Sequence, residues 1–305
     1  MNDLIAALDY NQFADYVYTG KEEIPSGVVS VSTEHIRKFF QTHGENGKNY
    51  VIISCCCDYG VFYQEENPVK NDFVKGLQLL QLGEYDGYSG VVIQPRCNLN
   101  LCHPDNKYSI KCYAFTHSTF PYIPSNIKKW FLVNSNLIEP NVVNIPLGLY
   151  HEGAKEVLQT ISDLPNKTEL LYLNWTNYTQ ERVALKQYFQ QFDWCDVDEG
   201  RRDFKEFLLN MARYKFILCP EGNGLDSHRN IESLYLGCIP ILLLNRFNYR
   251  TFGNTRTLFV NNWNEITKEY LHQQHGILNN NVTTNNITKL SYWEKEIAEA
   301  KKLLC

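Results

Sequence analysis

The densest chemistry in the chain lies between Pro220 and Leu244, where PEGNGLDSHRNIESLYLGCIPILLL places glycines, a helix cap and charges at consecutive offsets. Gly222 and Gly224 flank Asn223, a pattern that suits positive φ and close approach of backbone to a ligand. Asp226 or Ser227 can cap a helix that starts directly afterwards. In that helix Ile231, Leu234 and Tyr235 share one stripe, while His228, Arg229 and Glu232 fall three and four apart on the other side. A helix N-terminus offers outward amide hydrogens, and an arginine in its first turn adds a cation, so together they suit a diphosphate. Glu232, one turn deeper, can accept hydrogen bonds from ribose hydroxyls. The competing reading is an intrahelical pair between Arg229 and Glu232 with no ligand.

These residues need a rigid frame. Lys215–Cys219 is a short apolar run ending at Pro220, as expected of a buried strand in a parallel sheet, and Cys238–Leu244 is a second core strand beyond the helix-ending Gly237. A second strand-loop-helix unit precedes them: Glu169–Trp175 as strand, then a loop, then a helix from Gln180. It brings Asn174, Thr176 and Arg182 to the same kind of edge, and Arg182 can join Arg229 around the diphosphate as charge stabiliser for a leaving nucleotide.

The run from Pro220 to Leu242 resembles the signature of exostosin-like glycosyltransferases, in which Pro-x-Gly-x-Gly-x-Asp-x-x-Arg-x-x-Glu leads into Leu-Gly-x-Ile-Pro. Trp130 in a strand ending at Asn134, Ile145-Pro146-Leu147-Gly148-Leu149, the segment from Asn174 to Arg182, and Trp263–Ile266 also resemble segments of that family. The resemblance implies an α/β, GT-B-like fold of two Rossmann-like domains facing a cleft. It also implies sugar transfer from a nucleotide sugar, with a UDP-sugar favoured, to a glycan hydroxyl. No cofactor is required beyond the nucleotide-sugar donor, which is itself a substrate. Glu221 and Glu232 do not meet the seven-residue glutamate spacing of retaining GT-B enzymes, so inversion is expected.

Inverting transfer needs a general base within reach of the acceptor hydroxyl. Asn49–Cys57 reads as a buried strand, and Asp58 stands just past its carboxyl end, where ligands bind in open α/β sheets. Asp58 is the candidate base, on a strand ending that resembles the family's Ser-Asp-Tyr with Cys57 in place of the serine. Its structural alternative is a turn cap. Asp72, Glu65, Glu66 and His117 compete for the role. Elsewhere in this half, Phe73–Leu82 reads as an amphipathic helix and Gly90–Pro95 as a strand.

Two ordinary domains fit 305 residues. The expected division is an acceptor domain at 1–150, a nucleotide-sugar domain at 151–288, and a C-terminal helix at 289–305 packing back on the first domain. A net charge of −5 supplies no basic face for nucleic acid. The start lacks the basic lead-in and apolar run of a signal peptide, and no stretch of about 18 apolar residues exists to span a bilayer. A bacterial or viral cytoplasmic enzyme, or the catalytic fragment of an anchored one, is expected. Ten cysteines include Cys55-Cys56-Cys57, whose alternation along a strand cannot converge on one tetrahedral metal. Cys97, Cys102, His103 and Cys112 form a looser zinc alternative, and reduced thiols packed as small hydrophobes are favoured. Asp196-Val197-Asp198 mimics the Asp-x-Asp metal motif of the other main glycosyltransferase fold, but it precedes a helix from Asp203 and reads as loop or cap. Two alternatives to the transferase remain in view: a non-catalytic nucleotide- or glycan-binding protein, and a metal-dependent enzyme using Asp196 and Asp198.

Overall fold

The computed structural model describes residues 3–20, 23–33, 35–55, 61–63, 78–85, 88–94, 113–115, 123–135, 137, 139–150, 152–161, 163–175, 180–198, 203–222, 224–280 and 285–305. The chain divides into two compact units. One comprises 8–145, 223–225 and 293–305, and the other 1–7, 146–222 and 226–292. Each is built on its own five-stranded parallel sheet, so the protein is α/β with two Rossmann-like halves.

In the first unit the elements run β1 (Tyr16–Tyr18), β2 (Gly27–Val31), α1 (Ile36–His43), β3 (Tyr50–Ser54), β4 (Val61–Tyr63), β5 (Gln78–Tyr85), β6 (Tyr88–Gln94), β7 (Tyr113–Phe115), β8 (Ile127–Leu132) and β9 (Val142–Asn144). The main sheet has the order β1-β2-β3-β8-β9, all parallel. Its inner strands β2 and β3 are buried on both faces, which is why Tyr50–Ser54 reads as an unbroken apolar run instead of an alternating one. Phe39, Tyr50 and Trp130 fill one side of that sheet under α1. The C-terminal residues belong here too: Trp293 meets Tyr10 edge-on, and Lys301 pairs with Asp15. Residues 78–82, expected in a helix, instead pair as β5 with β6 in an antiparallel hairpin. The intervening Asp86-Gly87 is the dipeptide that two-residue hairpin loops favour, and a run as short as 73–82 fits helical and strand periods alike.

The second unit contains α2 (Glu152–Gln159), β10 (Glu169–Leu173), α3 (Gln180–Phe189), β11 (Cys195–Val197), α4 (Phe204–Met211), β12 (Tyr214–Leu218), α5 (His228–Tyr235), β13 (Ile239–Leu243), α6 (Arg246–Phe252), β14 (Leu258–Val260) and α7 (Lys268–Asn280). The last helix, α8, is Leu290–Lys301. The sheet order is β11-β10-β12-β13-β14, again all parallel. The polar stretch after the first domain contains α2. Asn245 accepts from the Asn248 amide and starts α6. Among the described residues no helix is long and apolar enough to cross a membrane.

Candidate functional site

The candidate site stands at the carboxyl edge of the second sheet, where β10, β12 and β13 all end. The side chain of Arg182, near the start of α3, is buried. Its Nε donates to the Glu221 carbonyl at 2.9 Å and its Nη2 to the Pro220 carbonyl at 3.2 Å. Every peptide bond here is trans, so carbonyls turned onto the guanidinium turn the following amides the opposite way. The Gly222 amide meets no acceptor among the described residues. Gly222 has a second reason to be glycine: a Cβ would come 3.0 Å from Arg182 Nη2. The expectation that Arg182 contacts a diphosphate directly is thus sharpened: in this state it underpins the loop and sets the direction of its amides.

Glu221 continues the same edge. Its carboxylate is buried and accepts from Asn245 Nδ2 at 3.1 Å, joining the end of β12 to the cap of α6. Neither partner was singled out from sequence. The signal was present in Asn245, a polar residue closing the apolar run of β13 and followed by a helical pattern.

α5 is fixed at its start by Asp226, whose buried carboxylate accepts from the Leu147 amide, the Ser227 amide and Asn230 Nδ2, each at 2.7 Å. Burial pushes the Asp226 carboxyl up to about 6, against the opposing pull of those donors and of His228. The N-cap residue is Ser227, but its hydroxyl makes no cap bond; it donates instead to Asn230 Oδ1 at 3.2 Å. The first-turn amides of α5 therefore keep their outward orientation, as helix starts do in general. His228 Nδ1 donates to the Gly148 carbonyl at 2.7 Å, and its ring meets the exposed Tyr150 edge-on with centroids 5.2 Å apart.

Arg229 and Glu232 do form the intrahelical pair, Nε to Oε2 at 3.2 Å. The pair is not a solvated surface one. Glu232 is buried, and the Arg229 guanidinium lies 4.3 Å over the Phe207 ring of α4. With one face stacked, Nε paired to Glu232 and Nη1 donating to Met211 Sδ at 4.0 Å, the guanidinium has Nη2 left for a planar acid such as a phosphate. Asn174 is one residue past β10 and, with Asn210, hydrogen-bonds the Tyr172 hydroxyl. Gly224 is buried. Thr176, Asn223 and Asp58 lie outside the described residues, as do the alternative bases Glu65, Glu66, Asp72 and His117 and the cysteines at 56, 57, 97, 102 and 112.

Asp196 and Asp198 point to one side of β11, as i and i+2 must. There Asp198 accepts the Tyr172 hydroxyl at 2.9 Å and Asp196 accepts that of Tyr214, while the two tyrosines stack with centroids 4.7 Å apart. Among the described residues, no group of three His, Cys, Asp or Glu stands close enough to hold a metal ion. A cavity of about 330 Å³ at the other end of α5 is lined by Leu4, Leu158, Ile161 and Leu236 together with Asp3 and Lys289. No protein-family model matches the chain.

Proposed function

We propose that the protein is a glycosyltransferase of GT-B architecture, resembling the exostosin-like enzymes. It moves a sugar from a nucleotide-sugar donor, with UDP-sugars favoured, to a glycan hydroxyl, with inversion and without a metal. The observation that carries this reading is the Arg182-backed loop. Buried cationic charge draws the carbonyls of Pro220 and Glu221 inward, so the amides of the same peptides face away, in the strand-loop-helix unit whose helix starts at His228 and carries Arg229 in its first turn. That combination stabilises a diphosphate as it gains charge on departure. In the step itself the acceptor oxygen forms a bond to the anomeric carbon while the bond from that carbon to the phosphate oxygen breaks. The nucleoside diphosphate leaves with that electron pair, and the hydroxyl proton passes to the base, assigned from sequence to Asp58.

Calorimetric titration with UDP-glucose and GDP-glucose tests the donor site. Arg229→Ala removes a charge-assisted partner of the diphosphate and is expected to weaken binding by roughly 10- to 100-fold; unchanged affinity refutes the assignment. Asp58→Asn is expected to keep donor binding and lose transfer, and near-normal turnover places the base elsewhere.

A further inference from the structure

His228 is the one ionisable side chain of α5 whose hydrogen bonding fixes its tautomer. Its Nδ1 is 2.7 Å from the Gly148 carbonyl oxygen. A carbonyl can only accept, so Nδ1 carries a hydrogen. In the neutral ring Nε2 is then a lone-pair acceptor, and a phosphate oxygen is also an acceptor. The two repel unless the ring takes a second proton. His228 is also the first residue of α5, on the turn where the helix amides favour an anion. Among the described residues nothing bonds Nε2.

We propose that His228 is a proton-linked cation of the donor site: an arriving nucleoside diphosphate drives protonation of Nε2, and the imidazolium donates Nε2–H to an oxygen of the sugar-bearing phosphate. The inference rests on the diphosphate reading of the loop above. The surroundings of the ring agree with it. The Asp226 carboxylate on the preceding loop interacts electrostatically with His228. The neighbouring Arg229 is turned onto Phe207 and Glu232, so its charge is partly neutralised. From the segment 146–150 the ring meets the Gly148 carbonyl and the edge of Tyr150. Among the described residues the ring therefore has an anion and a carbonyl for company, and the neighbouring Arg229 already has a counter-ion. Imidazoles change charge in the physiological pH range, so the site would take its ligand more readily as pH falls. The arrangement also places positive charge where the diphosphate departs, in the role other transferases give to a metal ion.

The test is calorimetry with UDP-glucose and GDP-glucose, whose phosphodiesters carry a fixed charge between pH 6 and 8. Titrations run in buffers of different ionisation enthalpy report the protons taken up. The wild-type protein is expected to take up protons on binding, and more of them at pH 8 than at pH 6. Its affinity is expected to fall by about tenfold between pH 7 and 8. In His228→Gln both the uptake and the pH slope are expected to vanish above pH 7, where the Asp226 carboxyl is already ionised. Binding by the wild type without proton uptake, or uptake that persists in His228→Gln, overturns the inference and leaves the donor site standing. No binding of either probe by the wild type overturns the diphosphate reading and this inference together. The wild-type measurement does not depend on the variant folding. The Cε1–H resonance of His228 in histidine-labelled protein gives a direct second readout: it is expected to move towards its protonated position when UDP-glucose is added at pH 7.5, and an unmoved resonance refutes the protonation.

Discussion

Lys167 holds the C-terminal ends of two helices at once, and its removal should loosen the helix that carries the candidate site. Its Nζ donates to the carbonyl of Ala212, the C-cap of α4, at 2.9 Å, and to that of Leu236, the C-cap of α5, also at 2.9 Å. Cys238 Sγ is 3.2 Å away. Helix C-termini carry partial negative charge, so a cation bridging two of them is favoured by both dipoles. Lys167→Met keeps the stem and removes the charge. A hydrogen bond from a charged donor contributes roughly 1.5–3 kcal/mol, so two give an upper bound of about 6. Lys167 is half-buried, and water can replace part of the loss, which brings the expected cost to about 2–4 kcal/mol. Hydrogen exchange read by mass spectrometry on peptides covering 204–236 is the assay, because it resolves opening of α4 and α5 from the rest of the chain. Faster exchange in the last turns of both helices is expected, with Lys167→Arg intermediate because the planar guanidinium cannot reproduce the point-like ammonium. Opening free energies within about 0.5 kcal/mol of wild type in both helices would refute the double-cap reasoning.

Two other outcomes follow from single positions. Gly148 sits at φ +77°, and a Cβ there would meet backbone atoms of Ile5, Ala6 and Ala7 at 3.0–3.2 Å, whereas Gly47 at φ +80° has nothing within 4 Å. Thermal denaturation should therefore show Gly47→Ala costing only the left-handed strain, about 1 kcal/mol, and Gly148→Ala costing at least twice that; equal costs would mean the backbone gives way around residue 148. The Asp226 carboxyl, raised to about 6 from an ordinary 3.8, keeps its proton longer in the folded than in the unfolded chain. Its contribution to stability is thus largest at low pH and is lost as pH rises from about 4 to 6, by about 3 kcal/mol in total. Denaturant titrations of the wild type and Asp226→Asn across pH 4–7.5 should differ by an amount that changes with this sign; a constant difference counts against the raised value.

How far the sequence reaches is visible along α5. The strand before it, the break at Gly222, the helix start and the core strand after it are all written in local pattern, because each depends on residues within a turn or a pleat of one another. Partners distant in sequence are not. The apolar stripe of α4 reads as plain core, yet Phe207 and Met211 also form the bed on which Arg229 lies. Nothing near Lys167 in sequence marks it as a cap, because its partners Ala212 and Leu236 lie 45 and 69 residues away. Asp226 reads as a cap, while its carboxylate spends one bond on the Leu147 amide, 79 residues away in sequence. The hairpin of β5 and β6 fails for a different reason: Gln78–Leu82 has too few residues to distinguish a period of two from one of 3.6.

These distant partners fix what kind of site α5 can present. Its Asp226 and His228 bonds tie its start to Leu147 and Gly148. At its other end the Tyr235 hydroxyl accepts from the Ile5 amide and donates to the Thr288 carbonyl, and Arg256 donates to the Gly237 carbonyl that follows. A helix of only eight residues has little intrinsic stability, so its position is set by these bonds more than by its own. The consequence is preorganisation: the amides at the start of α5 are already held in place by these bonds. The side chain left to respond is Arg229, whose contacts to Phe207 and Glu232 are side-chain contacts alone. Glu232 is then better understood as the group that keeps Arg229 oriented and partly desolvated than as a ribose acceptor. On that view removing Glu232 would weaken an anion's binding by releasing Arg229 to solvent, although a carboxylate by itself repels an anion.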